Sequence, residues 1–201
     1  MPNYPWPRVN RIPYAGILAA LLVAAVSLPA ARATQADDGD IAVDVEIVGR
    51  LVRITSSLYV AASPGETWAV LTDYDHATAF ISGLEISRVE AREGDVLYVH
   101  QKGEVKHGPL SFSFDSTRRV RLTPFEKMES HLVTGTMKKL DATTLLKSEG
   151  TGTRISDYRE TIPNFWIPPV VGRLFIEHDT RQNFAELRGE ILRRKKATRK
   201  E

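Results

Sequence analysis

The sequence predicts an α+β fold of two layers, an antiparallel sheet on one side and a single long C-terminal helix on the other. Three observations carry this. Residues 85–162 fall into six strand-like runs parted by turn signals at Glu93-Gly94, Gly108-Pro109, Pro124-Phe125 and Glu149-Gly150. Residues 169–196, beyond the proline-flanked PNFWIPP (163–169), read as one long helix. Between the earliest strands and the later ones, residues 63–83 carry the chemistry of helix starts. Two layers are how long strands and one helix bury their apolar faces together.

The 201 residues suffice for one ordinary domain with a hydrophobic core. The first 33 read as a signal peptide. Arg8 and Arg11 precede an apolar run from Ile12 to Ala31, and Ala31-Arg32-Ala33 makes a small-x-small ending. Pro13 and Pro29 trim the helical stretch to about 15 residues, short for a membrane span. Cleavage after Ala33 is expected, with export to the periplasm; an uncleaved N-terminal anchor is the alternative. The absence of cysteine suits an exported domain that stands without disulfides, and it removes thiolate chemistry.

The formal charge of +2 hides an asymmetry. Residues 34–192 hold 18 basic and 24 acidic side chains, whereas residues 193–201 hold six basic and one acidic. An acidic body thus ends in a basic tail, either a solvated helix end or a contact for anionic lipid headgroups. No basic stripe with interleaved aromatics appears in the body, so nucleic acid is not an expected partner.

TQADDGD (34–40) reads as a polar linker, and Ile41–Val60 as a strand or strand pair rich in β-branched residues. Ser63, Pro64 and Glu66 then supply a cap, a first-turn proline and a first-turn acid, so a helix starts there. DYDHATAFISG continues with a break and a second short helix. In LSFSFDS, alternation sends Leu110, Phe112 and Phe114 to one face and Ser111, Ser113 and Asp115 to the other. On the last helix, successive steps of about 100° gather Val170, Leu174, Phe184, Leu187 and Ile191 on one side. Glu177 and Arg181 interrupt that side and read as an i,i+4 ion pair.

Asp73, Asp75 and His76 have the side chains that cations take, but DYDHATAF lacks the regular oxygen spacing and closing Glu of a calcium loop. The expected roles are structural, with Asp73 ending one helix, Asp75 capping the next and His76 on the surface. His100 and His107 lie seven apart on one strand and so face opposite ways. No metal and no cofactor is implied. ISDYRETI carries the polar residues of most interest. If Ile155 faces the helix, strict alternation turns Asp157 and Arg159 inward, whereas a bulge would turn Tyr158 inward.

The stretch SLYVAASPGETWAVLTDYDHATAFISGLEISRVEAREGD, followed by GTRISDYRETIPNFWIPPVVGRLF and DTRQNFAELRGEI, resembles the START-like (SRPBCC) superfamily. Within it the nearest likeness is to the polyketide cyclase/dehydrase and coenzyme Q-binding group. The resemblance implies a helix-grip fold: a curved antiparallel sheet wrapped around the C-terminal helix, with two short helices after the first strand. The resulting division is a linker at 34–45, a helix-grip domain at 46–193 and a basic tail at 194–201. It also implies a hollow for a hydrophobic small molecule, a lipid or a prenyl quinone. Export departs from the better-known members, which are mostly intracellular.

The leading expectation is an exported, non-enzymatic carrier. Its candidate lining residues, chosen by predicted facing, are Phe80, Val99, Gln101, Phe112, Phe114, Leu132, Tyr158, Trp166, Leu174 and Phe184. A cyclase or dehydratase is the alternative, with Asp157, Arg159 and His131 as its proton-handling candidates. A third reading is an interaction module that touches a membrane or another protein through the basic tail and Trp166.

Overall fold

The structure, a computed structural model, describes residues 41–107 and 110–199. The expected signal segment and its cleavage site lie outside them.

Residues 41–60 form a hairpin, β1 (Ile41–Val48) and β2 (Leu51–Val60), closed by Gly49 at positive φ. The folded domain therefore begins at or before Ile41 and takes in residues 41–45, assigned above to the linker. The two short helices follow the second strand, not the first. Helix α1 (Pro64–Leu71) starts with a capping box, in which Ser63 Oγ accepts from Glu66 N–H and the Glu66 carboxylate accepts from Ser63 N–H. A 3₁₀ helix, Tyr74–Ala79, comes next.

Six strands then run as a meander: β3 (Leu84–Glu93), β4 (Val96–His107), β5 (Leu110–Thr123), β6 (Lys127–Gly135), β7 (Met137–Glu149) and β8 (Gly152–Pro163). All pairs are antiparallel, and the sheet order is β1-β2-β8-β7-β6-β5-β4-β3. The early hairpin thus joins the sheet beside the last strand, with Leu58 opposite Ile155. Helix α2 (Pro169–Thr198) packs on β1, β2 and α1. It runs into the expected tail, where Arg194 bonds to Asp73 and Lys195 donates to Ala61 O, so this part of the tail belongs to the domain.

Apolar side chains close three regions. Leu58, Val60, Val70, Ile155, Phe184 and Ile191 join the β1–β2 hairpin, α1, β8 and the C-terminal half of α2. Leu97, Val99, Val120, Leu122 and Met128 pack under Trp68, Leu71 and Tyr74. Val45, Val52 and Ile54 meet Ile167 and Ile176 at the start of α2.

The buried stripe of α2 drifts around the helix. Phe184, Leu187 and Ile191 hold the expected side near the C-terminus, but towards the N-terminus Gly172, Phe175 and Ile176 face inward instead of Val170 and Leu174. A helix crossing a twisted sheet meets it along an oblique line, so one fixed stripe cannot hold for 30 residues. At Gly172 a Cβ would come 2.0 Å from Ile167 Cγ2, so only glycine lets the first turn of α2 lie this close to the preceding loop.

Candidate ligand-binding site

Between the sheet and α2 lie two adjoining hollows that share Val105, Phe114, Met137, Leu140, Arg159 and Asp179. The smaller, ≈190 Å³, is almost wholly apolar and is walled by Ile54, Phe112, Phe165, Phe175 and Ile176. The larger, ≈400 Å³, mixes Phe80, Leu84 and Phe184 with Tyr74, Gln101, Arg118, Thr144 and Asp157. Space of this size, apolar with a few convergent polar groups, is the usual form of a small-molecule site.

The apolar end is built by aromatic packing. Phe112 stacks on Phe165 with centroids 5.0 Å apart and 10° between planes, and meets the edge of Phe175 at 4.9 Å. Alternation on β5 puts Phe112 and Phe114 on this face, as the sequence predicted. Leu110 shares that expectation, but its side chain lies outside the description.

The polar end rests on β4, β5 and β8. With no bulge between Ile155 and Thr161, alternation holds and carries Asp157 and Arg159 inward. The Asp157 side chain is 7% exposed; it accepts from Thr144 Oγ1 at 2.7 Å and lies 3.5 Å from Arg159 Nη2. Arg118 donates to Gln101 Oε1 and, at 3.4 Å, to Ser130 Oγ; Gln101 in turn donates to Ser87 Oγ at 2.9 Å. Burial pushes the Arg118 guanidinium pKa down and the Tyr74 phenol pKa up. Burial likewise raises Asp179, which accepts from Asn183 Nδ2 at 3.2 Å.

Of the predicted lining residues, Phe80, Gln101, Phe112, Phe114 and Phe184 face the hollows. The other five do not. Val99 is fully buried in the cluster packed against Trp68 and lines neither hollow. Leu132, half-buried, contributes to neither wall. Tyr158 stands on the outer face, 46% exposed, and donates to Glu160 at 2.9 Å, because β8 keeps its register. Leu174 is 64% exposed through the drift of the α2 stripe, and Phe175 takes the inward place. Trp166, 68% exposed, points outward, while its neighbours Phe165 and Ile167 line the apolar hollow.

His131, a candidate base, is on the outer face and bonds to Asp141 at 2.8 Å, away from Asp157 and Arg159. Sequence reasoning missed Arg118, Tyr74, Thr144 and Asp179. The signal for Arg118 was present, since strict alternation along β5 from Phe112 and Phe114 passes through Ser116 to Arg118.

At the corner, Asp73 bonds to His76 Nδ1 at 2.6 Å and to Arg194 Nη1 at 2.7 Å. Asp73 takes the N-cap position of the 3₁₀ helix, and Asp75 does not cap it but accepts from Val89 N–H at 2.7 Å. Arg194 also lies 5.5 Å over the Phe80 ring. Glu177 and Arg181 form their ion pair at 3.0 Å.

An open antiparallel sheet holding one long helix across an apolar hollow defines a helix-grip binding fold. The chain belongs to the polyketide cyclase / dehydrase and lipid transport family, which matches residues 60–188. Three solved structures illustrate the likeness. A STAR-related lipid transfer protein from Xanthomonas axonopodis superposes with a TM-score of 0.63 at 12% identity, over 76% of this chain and 93% of its own. The ZhuI aromatase/cyclase from Streptomyces sp. R1128 gives 0.60 at 14% identity, over 72% and 95%. A START superfamily protein from Mycobacterium smegmatis gives 0.59 at 12%, over 70% and 97%. No curated protein matches the chain. The family includes lipid binders as well as cyclases, and it takes hydrophobic small molecules.

Proposed function

We propose that this protein is an exported, non-enzymatic carrier that holds a hydrophobic small molecule between its sheet and α2. The observation that carries the reading is the pair of adjoining hollows, apolar at the Phe112–Phe165–Phe175 end and large enough together for a lipid-like body. Removing apolar ligand surface from water contributes about 25 cal/mol per Å². Export rests on the charge, apolar run and small-x-small ending of residues 1–33. Native mass spectrometry of protein purified from its own host should reveal a bound hydrophobic molecule. A consistently empty protein, with no uptake of added lipid, would refute the carrier.

Exchange with a bilayer fits the rim of the apolar hollow. Trp166, Val170, Val171 and Leu174 are exposed large apolar side chains on the segment whose other residues line the cavity. A cyclase or dehydratase is the second reading, favoured by Asp157 and Arg159 facing the same hollow. That reading requires Asp157→Asn to abolish turnover of a polyketide-like substrate while the fold persists.

A further inference from the structure

The polar end of the site holds a cation without a direct ion pair. Arg118 faces the larger hollow, and its hydrogen bonds run to neutral oxygens, those of Gln101 and Ser130. Two of the five N–H donors of a guanidinium are thereby used. Among the described residues no carboxylate forms an ion pair with it, although Asp157 and Asp179 line the same space. Asp157 is committed to Thr144 and Arg159, and Asp179 to Asn183. With Arg159 the wall carries two cations and two carboxylates, and Arg118 is the cation without a direct partner among them. A half-buried guanidinium that faces a hollow without a direct ion pair has N–H donors left to offer a ligand.

The neighbours of Arg118 are fixed for that task. Ser87 anchors the Gln101 amide, so its oxygen is presented to the guanidinium and holds the fork in place. From there the hollow becomes steadily more apolar past Phe114 and Met137 towards Phe112 and Phe175.

Resting on the carrier reading, we propose that the ligand is an amphiphile with a carboxylate head, which docks on Arg118 while its chain fills the apolar hollow. A guanidinium fork matches a carboxylate in plane and in charge.

Binding of myristic acid, methyl myristate and myristyl alcohol to the purified protein at neutral pH, followed by calorimetry, tests this. The acid should bind about tenfold or more tightly than either neutral analogue, since charge-assisted hydrogen bonds are roughly twice as strong as neutral ones. Arg118→Met should erase that preference, so that the acid binds no more tightly than the neutral analogues; Arg118→Lys should keep part of it. Equal binding of all three probes to the wild type would overturn the carboxylate head and leave the carrier standing. Failure of all three to bind, together with an empty protein from the host, would overturn the carrier and this inference with it. If Arg118→Met does not fold, the acid-to-ester comparison in the wild type decides alone.

Discussion

Asp157 shows how one side chain can be carried inward by sequence alone and still owe its state to a neighbour. Alternation from Ile155 fixes its direction; Thr144 on β7, which periodicity does not connect to it, supplies the donor at 2.7 Å. Thr144→Val removes that donor while keeping the shape, leaving a buried carboxylate short of a partner. A loss of about 1–3 kcal/mol is expected in urea denaturation. The same limit explains which site residues were legible. Phe112, Phe114, Asp157 and Arg159 follow from period two along single strands. Val99 obeys that period too, yet it is buried in a cluster against which Trp68 and Tyr74 pack, and such covering is a long-range fact no local pattern contains. Tyr158, expected at the lining, faces outward because β8 carries no bulge there, and whether a strand bulges is set by its pairing with β2 and β7 and not by its own residues.

At the level of elements, the strands were largely readable, because turn signals bracket each run. The helix was readable in extent but not in phase. Its N-terminal half turns Val170 and Leu174 out to solvent, and only the crossing geometry of the sheet decides that. If this rim serves exchange with a bilayer, Trp166→Ser combined with Leu174→Ser should slow transfer of a fluorescent fatty acid from vesicles. Equilibrium affinity should stay unchanged, since neither side chain lines the hollow. The loop after the 3₁₀ helix depends on a close approach between two glycines. Glu104 N–H donates to Gly83 O at 2.8 Å, and a Cβ on Gly103 would stand 2.1 Å from that oxygen. Gly103→Ala must therefore push the loop away from β4. A cost on the order of 1–3 kcal/mol in thermal denaturation is expected, with weaker ligand binding because Gly83 and Leu84 wall the larger hollow.

For the molecule as a whole, the end of α2 is a charged fastening. Hydrogen bonds from Arg193, then Arg194, hold the Glu190 carboxyl at about 2, against an ordinary value of 4.5. Asp73 also lies below its ordinary range; burial opposes the shift, and hydrogen bonds to His76 and Arg194 outweigh it. Carboxylates with lowered values stabilise the fold above their unfolded values, and this contribution disappears as they are protonated. Stability should therefore fall as pH drops from about 4.5 towards about 2. Glu190→Gln should flatten that part of an acid-denaturation profile followed by circular dichroism; an unchanged profile would remove Glu190 from the account.

The pairing of β2 with β8 also bears on when this chain can fold. Leu58 finds Ile155 only after nearly a hundred intervening residues have appeared, and Phe184 and Ile191, which complete the same cluster, come later still. Contacts this distant along the chain make for slow closure, because the loop entropy is spent before the pairing rewards it. A nascent chain would thus stay open and threadable until its last helix is made, the condition a polypeptide needs if it is to pass through a membrane before it folds.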